Sequence, residues 1–217
     1  MDLSGITSAS STIALYWRCL RFGWGEVRGK TARAPRADAQ RNRDKLVRAA
    51  RVAFTDADGP VPLEDIARAA GVGVGTLYRN FPTREALVEA VYASELAALT
   101  DSADELLQRH PPDVALRAWM GGYARFFAAK RGMADTLRAG WASGRIATPN
   151  TRERLSVAMG RILAAGAAAG VLRADADPYD VTTMLLGSFL ATASGDNAER
   201  IDQMLDLLVD ALRPPRS

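Results

Sequence analysis

Several side chains that can form hydrogen bonds with a polyanion follow a glycine-rich turn in the N-terminal half of the chain. They are Thr76, Tyr78, Arg79 and Asn80. Hydroxyl, guanidinium and amide groups of this kind bond phosphate oxygens and the edges of nucleic-acid bases. If a short helix presents them on one exposed side, the segment predicts a surface that recognises nucleic acid.

The charge distribution favours the same kind of partner. The segment from Arg18 to Arg51 carries eleven Lys or Arg residues against three acids, a net charge of +8, whereas the whole chain carries +3. The remainder therefore carries −5, so the two parts face different partners. A basic segment on an otherwise acidic protein predicts attraction to nucleic acid or to an anionic membrane surface. A solvated helix face beside a flexible tail is the alternative, and charge alone leaves it open.

Other kinds of site chemistry lack the residues they would need. The single cysteine, Cys19, and the single histidine, His110, exclude an internal disulfide and a zinc site built from soft ligands. The glycine run from Gly71 to Gly75 differs from a dinucleotide fingerprint, because Thr76 stands where the third glycine is needed. His110 lies beside two prolines without a nearby nucleophile. We therefore predict no catalytic residue, no metal and no cofactor.

Composition indicates a globular protein. The 217 residues (23.3 kDa) are enough for one large or two small domains, and 48% hydrophobic with 24% charged residues suits a packed core. No uncharged run reaches the roughly 20 apolar residues that a bilayer span needs. The sequence thus predicts a cytoplasmic protein without a membrane span. Residues 1–35, where Ser, Gly and Arg interrupt each apolar run, are expected to form a flexible basic extension.

Apolar residues recur at helical spacing from residue 36 onward. Leu46, Ala50 and Phe54 illustrate the pattern, with Arg and Lys on many of the positions between them. No stretch alternates apolar and polar residues as a strand does, so the fold class is predicted to be all-α. The predicted helices span about 36–55, 63–70, 74–80, 83–108, 111–130, 133–142, 150–169, 178–193 and 198–212.

The second and third of these helices have the spacing of a helix-turn-helix. Counted from Leu63 as position one, the small residue Ala67 falls at position five, where the helices cross closely. Gly71 falls at position nine, in the turn. Such a unit places its second helix in a major groove. An ordinary helical corner would match single features, but it fits the whole set less well.

The same residues resemble a known family. The stretch from Leu63 to Leu87 reads LEDIARAAGVGVGTLYRNFPTREAL and resembles the DNA-binding signature of the TetR (tetracycline repressor) family, with a likeness that covers about residues 40–92. The resemblance implies a three-helix helix-turn-helix domain at 36–82 and a larger helical ligand-binding and dimerisation domain at 83–217. It further implies a homodimeric repressor that binds a palindromic double-stranded DNA operator and is released by a small-molecule effector.

The candidate DNA contacts lie in the helix-turn-helix and next to it. Tyr78 and Arg84 are expected on phosphates, and Thr76, Arg79 or Asn80 near base edges. The full set of candidate DNA-binding residues is Lys45, Gly73, Val74, Gly75, Thr76, Leu77, Tyr78, Arg79, Asn80 and Arg84.

In a layout like that of this family, the helices after the DNA-binding domain enclose a ligand. Aromatic and Met side chains suit an apolar or flat molecule, so a small apolar or aromatic effector is predicted. Plain core packing is the alternative for each residue. The candidate ligand-binding residues are Trp119, Met120, Tyr123, Phe126, Phe127, Met133, Leu137, Trp141 and Met159.

The last two predicted helices carry a wide apolar surface, and small residues such as Gly187 and Ala191 would let helices approach closely. We predict that they pair across a two-fold axis as a four-helix bundle. Cover for the ligand domain of a monomer is the alternative. The apolar residues behind this prediction are Val181, Met184, Leu185, Phe189, Leu190, Ile201, Met204, Leu205, Leu208, Val209 and Leu212.

Two other function classes remain open. A basic amphipathic protein on a membrane surface would use the segment from Arg18 to Arg51 with nearby aromatic residues, but the helix-turn-helix spacing counts against it. A helical enzyme would need an acid–base pair in a cleft, and the residues near His110 do not provide one.

Overall fold

The structure is a computed structural model that describes residues 35–56, 61–133, 136–137, 139–140, 150–192 and 197–214. The described residues contain α-helices and one 3₁₀ turn and no strand, which confirms the all-α prediction. Residues 1–34 of the predicted extension, and Trp141, lie outside the described residues. The helices are α1 (Pro35–Asp56), α2 (Leu63–Ala69), α3 (Val74–Asn80), α4 (Arg84–Arg109), α5 (Pro112–Ala129), α6 (Thr151–Ala168), α7 (Pro178–Ala191) and α8 (Ala198–Ala211), with the 3₁₀ turn at Lys130–Met133 after α5.

Helices α1, α2 and α3 pack on one another through a small apolar core. Leu46 and Ala50 of α1 are buried, as are Ile66 of α2 and Leu77 of α3. These residues stand at the inward positions that helical spacing predicts. Because few side chains fill this core, the geometry of the unit depends strongly on the turn between α2 and α3.

That turn takes its shape from Gly71, which has a φ of +66°. Only glycine adopts this left-handed conformation without strain from a Cβ atom. The N–H of Val72 donates to the carbonyl of Ala67 at 3.0 Å, so the turn closes the end of α2 and satisfies one of its last carbonyls. The turn thereby fixes the angle at which α3 leaves α2.

Helix α4 is the longest of the described helices and packs against α1 on one side and against α5 and α6 on the other. It begins where the Thr83 hydroxyl accepts a hydrogen bond from the N–H of Ala86. Near its middle, the carbonyl of Leu99 accepts a hydrogen bond at 2.9 Å from the indole N–H of Trp119, which is fully buried. An indole needs such a partner once it is buried.

Helices α6, α7 and α8 complete the C-terminal part. Helix α7 is capped by Asp177, whose carboxylate accepts hydrogen bonds from the N–H groups of Tyr179 and Asp180. Arg117 of α5 pairs with Asp202 and Asp206 of α8. None of the described helices combines the length and apolar character that crossing a bilayer requires.

Candidate nucleic-acid interface and ligand cavity

The outward side of α3 is open. Tyr78 is 43% exposed, and Arg79 and Val74 are also exposed. A Cβ atom placed at Gly73 or Gly75 would meet no other atom within 4 Å. A partner can therefore approach the backbone of α3 closely at its N-terminal end.

The polar side chains of α3 lie along their own helix. Arg79 donates to the carbonyl of Gly75 at 3.1 Å and to the hydroxyl of Thr76 at 3.2 Å. The amide of Asn80 donates to the carbonyl of Thr76 at 2.8 Å. Because Arg79 is exposed, its guanidinium can exchange these bonds for bonds to another acceptor, whereas Asn80 is half-buried.

Two arginines hold the helix-turn-helix in place. The guanidinium of Arg43 lies 4.4 Å from the centre of the Phe81 ring and donates to the carbonyl of Asn80 at the end of α3. A cation at this position also interacts favourably with the helix dipole. The guanidinium of Arg84 donates to the carbonyl of Val61 at 2.5 Å and lies above the Phe54 ring.

The predicted DNA contacts differ in exposure. The side chain of Leu77 is fully buried, so it packs beneath α3. Lys45 is exposed on α1. Arg84 is half-buried, and its bond to Val61 gives it a structural role that the sequence did not predict.

Glu64 places a negative charge beside the exposed side of α3. The hydroxyl of Tyr78 donates to a carboxylate oxygen of Glu64 at 3.3 Å. The charge of Glu64 raises the pKa of Tyr78 above its usual value. If a phosphate accepted the hydrogen bond of Tyr78 in place of Glu64, the nearby carboxylate of Glu64 would repel it.

A cavity of about 1040 Å³ lies among α4, α5, α6 and α7. Its wall contains five aromatic rings, and burial raises the pKa of one of the phenols, Tyr123, to about 12. The hydroxyls of Tyr92 and Thr151 are 2.9 Å apart, and those of Ser156 and Thr182 are 3.0 Å apart. The lining residues are Tyr92, Tyr123, Phe126, Phe127, Lys130, Asn150, Thr151, Arg152, Glu153, Leu155, Ser156, Val157, Gly160, Asp177, Pro178, Tyr179, Thr182 and Leu186.

The predicted ligand-binding residues divide between the cavity and the core. Tyr123, Phe126 and Phe127 line the cavity. Five others are buried and do not line it: Trp119, Met120, Met133, Leu137 and Met159. Trp119 and Met120 lie in the first half of α5, where the helix packs tightly on α4, whereas the cavity opens beside its second half.

Two residues that sequence reasoning missed have a recognisable spacing. Lys130, the first residue of the 3₁₀ turn, follows Phe126 by four positions and so extends the inward stripe of α5 into the cavity wall. Tyr92 follows Val88 in the same way along the inner side of α4. Such spacing identifies a side chain that points inward, but it does not distinguish a cavity from a packed core.

The apolar side chains of α7 and α8 also form two groups, one buried and one exposed. Most of the side chains behind the predicted interface are buried within the chain itself. Met184 and Leu190 of that set are 58% and 61% exposed, and Leu207, which was not part of it, is 68% exposed. The buried members are Val181, Leu185, Phe189, Leu205, Leu208, Val209 and Leu212.

Comparisons with known proteins agree with this arrangement. Residues 46–91 match the family described as bacterial regulatory proteins, tetR family, and residues 111–214 match the C-terminal domain described as transcriptional regulator SbtR-like. A TetR transcriptional regulator from Streptomyces coelicolor is 45% identical, with 80% of this chain and 99% of that chain covered and a TM-score of 0.73. A TetR transcription regulatory protein from Mycobacterium vanbaalenii is 33% identical, with 83% and 100% covered and a TM-score of 0.68. No curated protein sequence matches the chain.

We expect the substitution Glu64→Gln to strengthen binding to duplex DNA about two- to fivefold at low salt, because it removes a surface charge beside the phosphate-facing side of α3. Fluorescence anisotropy with a labelled duplex measures the change. In a Tyr78→Phe background the same substitution should have a smaller effect, since the hydroxyl that would donate to a phosphate next to Glu64 is gone.

Asp65→Asn is the matched control, because Asp65 is the next residue of α2 and pairs with Arg68 instead. An equal gain in DNA affinity for both variants would show only a general effect of surface charge. It would contradict a specific role for Glu64.

Proposed function

Because this chain belongs to the TetR family of bacterial transcriptional regulators, we propose that it is a repressor that binds a palindromic operator through α3 and releases it when a small molecule occupies the cavity. Regulators of this family bind operator DNA and are dimers. Membership also implies a regulatory rather than a catalytic role. The proposal places the protein in the cytoplasm, where bacterial chromosomal DNA lies.

The open outward side of α3 is the observation that carries the proposal. A recognition helix must bring its backbone and side chains to base edges without obstruction, and Gly73 and Gly75 leave room for this. Arg79 is exposed and has donors of the kind that read guanine. Tyr78 and Lys45 are exposed nearby and are suited to phosphates.

Helix α4 supports the coupling between the cavity and α3. Its side chain Tyr92 lines the cavity, and Arg84, eight positions earlier, bonds the segment before α2. At a rise of 1.5 Å per residue these positions are about 12 Å apart along one helix. A ligand that displaces α4 at Tyr92 would therefore shift the support of the helix-turn-helix. It must bind the DNA-released state better, since equal affinity for both states changes nothing.

Exposed apolar side chains on α7 and α8 support dimerisation through these helices. Leu190 and Leu207 are each more than half exposed, although both stand on helices whose other sides are packed. Large apolar side chains close together on a surface favour association. A two-fold axis would bring α7 and α8 of each subunit together and set the spacing of the two α3 helices at about 34 to 36 Å, one turn of DNA.

Arg79→Ala should weaken operator binding by roughly 1 to 3 kcal/mol and relax the sequence preference, because a donor to base edges is lost. The operator is obtained by selecting genomic fragments that bind the purified protein, and affinities are measured by gel shift. Arg161→Ala is the control, since Arg161 pairs with Asp104 on α4, away from α3. Wild-type operator affinity in Arg79→Ala would contradict the assignment of base readout to this residue.

Phe127→Ala should weaken the release of operator DNA by aromatic compounds and leave operator affinity unchanged, because Phe127 lines the cavity and lies outside the fully buried core. Release is measured by anisotropy with a set of one- and two-ring aromatic compounds. Trp119→Ala should instead destabilise the fold by about 3 to 5 kcal/mol, which chemical denaturation would detect. If release of operator DNA were unchanged in Phe127→Ala, this would contradict the proposal that the effector binds in this cavity.

The double substitution Leu190→Glu and Leu207→Glu should give a monomer of 23.3 kDa at micromolar concentration in sedimentation equilibrium, because it places charges in an apolar interface. Operator affinity should fall with it, since both α3 helices are needed. Val114→Glu, at a similarly exposed apolar position on α5, is the control and should remain dimeric. A double variant that stays dimeric would refute the interface on α7 and α8.

A further inference from the structure

We propose that the cavity binds a planar aromatic molecule that carries a carboxylate, and that Lys130 is the partner of the carboxylate. This inference rests on the proposed function of the cavity as the effector site and adds the chemical class of the ligand. It comes from three features of the wall: the arrangement of its rings, the position of the lysine ammonium and the roles of its acids.

The rings form a wall suited to a flat body. The centres of the Tyr92 and Phe126 rings are 5.5 Å apart, and those of Tyr123 and Phe126 are 6.4 Å apart, with tilted planes in both pairs. Phe127 continues the wall and is supported from behind by Phe189, at 5.6 Å between ring centres. Aromatic side chains prefer tilted or offset contacts with another ring, so a planar aromatic ligand extends a pattern that the wall already has.

The ammonium of Lys130 decides the charge of the ligand. It lies 5.2 Å from the centre of the Tyr92 ring and 6.0 Å from that of Phe126. A cavity of aromatic faces would otherwise attract an organic cation, but here the protein supplies the cation itself. A second positive charge would meet repulsion at the same rings. A carboxylate would gain a charge-assisted hydrogen bond from the ammonium.

The burial of Lys130 strengthens this argument. The ammonium is half-buried, and this burial lowers the pKa of the lysine from its usual value. A carboxylate in contact with it would offset the cost of desolvating the positive charge. An uncharged ligand would desolvate the ammonium further without supplying a negative charge.

The acids of the wall have roles at helix ends. The carboxylate of Asp177 accepts two hydrogen bonds from backbone N–H groups in the first turn of α7 and so caps that helix. Glu153 is exposed in the first turn of α6, where the helix dipole favours a negative charge. On the same side, Arg152 donates to the hydroxyl of Tyr179 at 2.6 Å and adds a positive charge near the cavity. The acids therefore lie at helix N-termini, where the helix dipole offsets part of their charge. The charge that lies against the Tyr92 and Phe126 rings is that of Lys130, and it favours an anionic ligand there.

The experiment compares three probes of nearly equal shape by isothermal titration calorimetry on the full chain: 2-naphthoate, 2-naphthylmethanol and 2-naphthylmethylamine. We expect 2-naphthoate to bind roughly tenfold or more tightly than the alcohol, and the amine to bind weakest, because only the carboxylate forms a charge-assisted bond. Lys130→Met should remove the preference for 2-naphthoate over the alcohol, and Lys130→Arg should retain it. Arg125→Met removes a cation from α5, outside the cavity wall, and should leave the preference unchanged.

Each outcome separates the ligand class from the function of the cavity. Binding of the alcohol or the amine as tightly as 2-naphthoate, an unchanged preference in Lys130→Met, or no binding of any probe would overturn the anionic class. Release of the operator by the neutral or the cationic probe would also overturn the anionic class. If Phe127→Ala abolished that release, the effector site would still lie in the cavity. Binding of 2-naphthoate with the expected preference but no change in operator affinity would support the class and overturn the release mechanism.

Discussion

The position of helix α4 between two packed units is the constraint on which the rest of the structure depends. Near its start, Arg84 bonds the segment before α2, and further along Glu95 pairs with Arg51 of α1 at 3.6 Å. On its other side, the carbonyl of Leu99 accepts a hydrogen bond from the indole of Trp119, and Tyr92 lines the cavity. Because tightly packed interiors deform little, a displacement of α4 at the cavity has few ways to be absorbed before it reaches the helix-turn-helix.

The charges near α3 bear on both affinity and selectivity for DNA. Phosphate contacts supply affinity for any sequence, and base contacts supply the choice among sequences. If Tyr78 faces a phosphate as proposed, the carboxylate of Glu64 beside it would reduce the part of the binding that carries no sequence information. Specific binders commonly use repulsion together with attraction. The proposal for the cavity has a similar logic, because the ammonium of Lys130 beside the Tyr92 ring would repel a cationic ligand that the rings alone would attract.

Features that depend on a few neighbouring residues were predictable from the sequence. Thr83 and Asp177 accept hydrogen bonds from the first N–H groups of α4 and α7, as expected for residues of their type before a helix. Gly71 takes the left-handed conformation in the turn where the spacing placed it. The bounds of most described helices agree with the predicted ones within one or two residues. All of these follow from local geometry, because hydrogen bonds at helix ends join residues close in the chain.

The sequence by itself thus determined the helices, the helix-turn-helix and the resemblance to the family, whereas the tertiary structure decided what each inward side chain contacts. Trp119 and Tyr123 stand one turn apart on α5, yet one is sealed in the core and the other lines the cavity. Leu185 and Leu190 of α7 are equally apolar, yet only Leu190 is exposed. Periodicity reports the side of a helix on which a residue lies, because it depends only on the helical repeat. Core, cavity and interface differ in what faces that side, and this depends on how helices distant in sequence cross and separate.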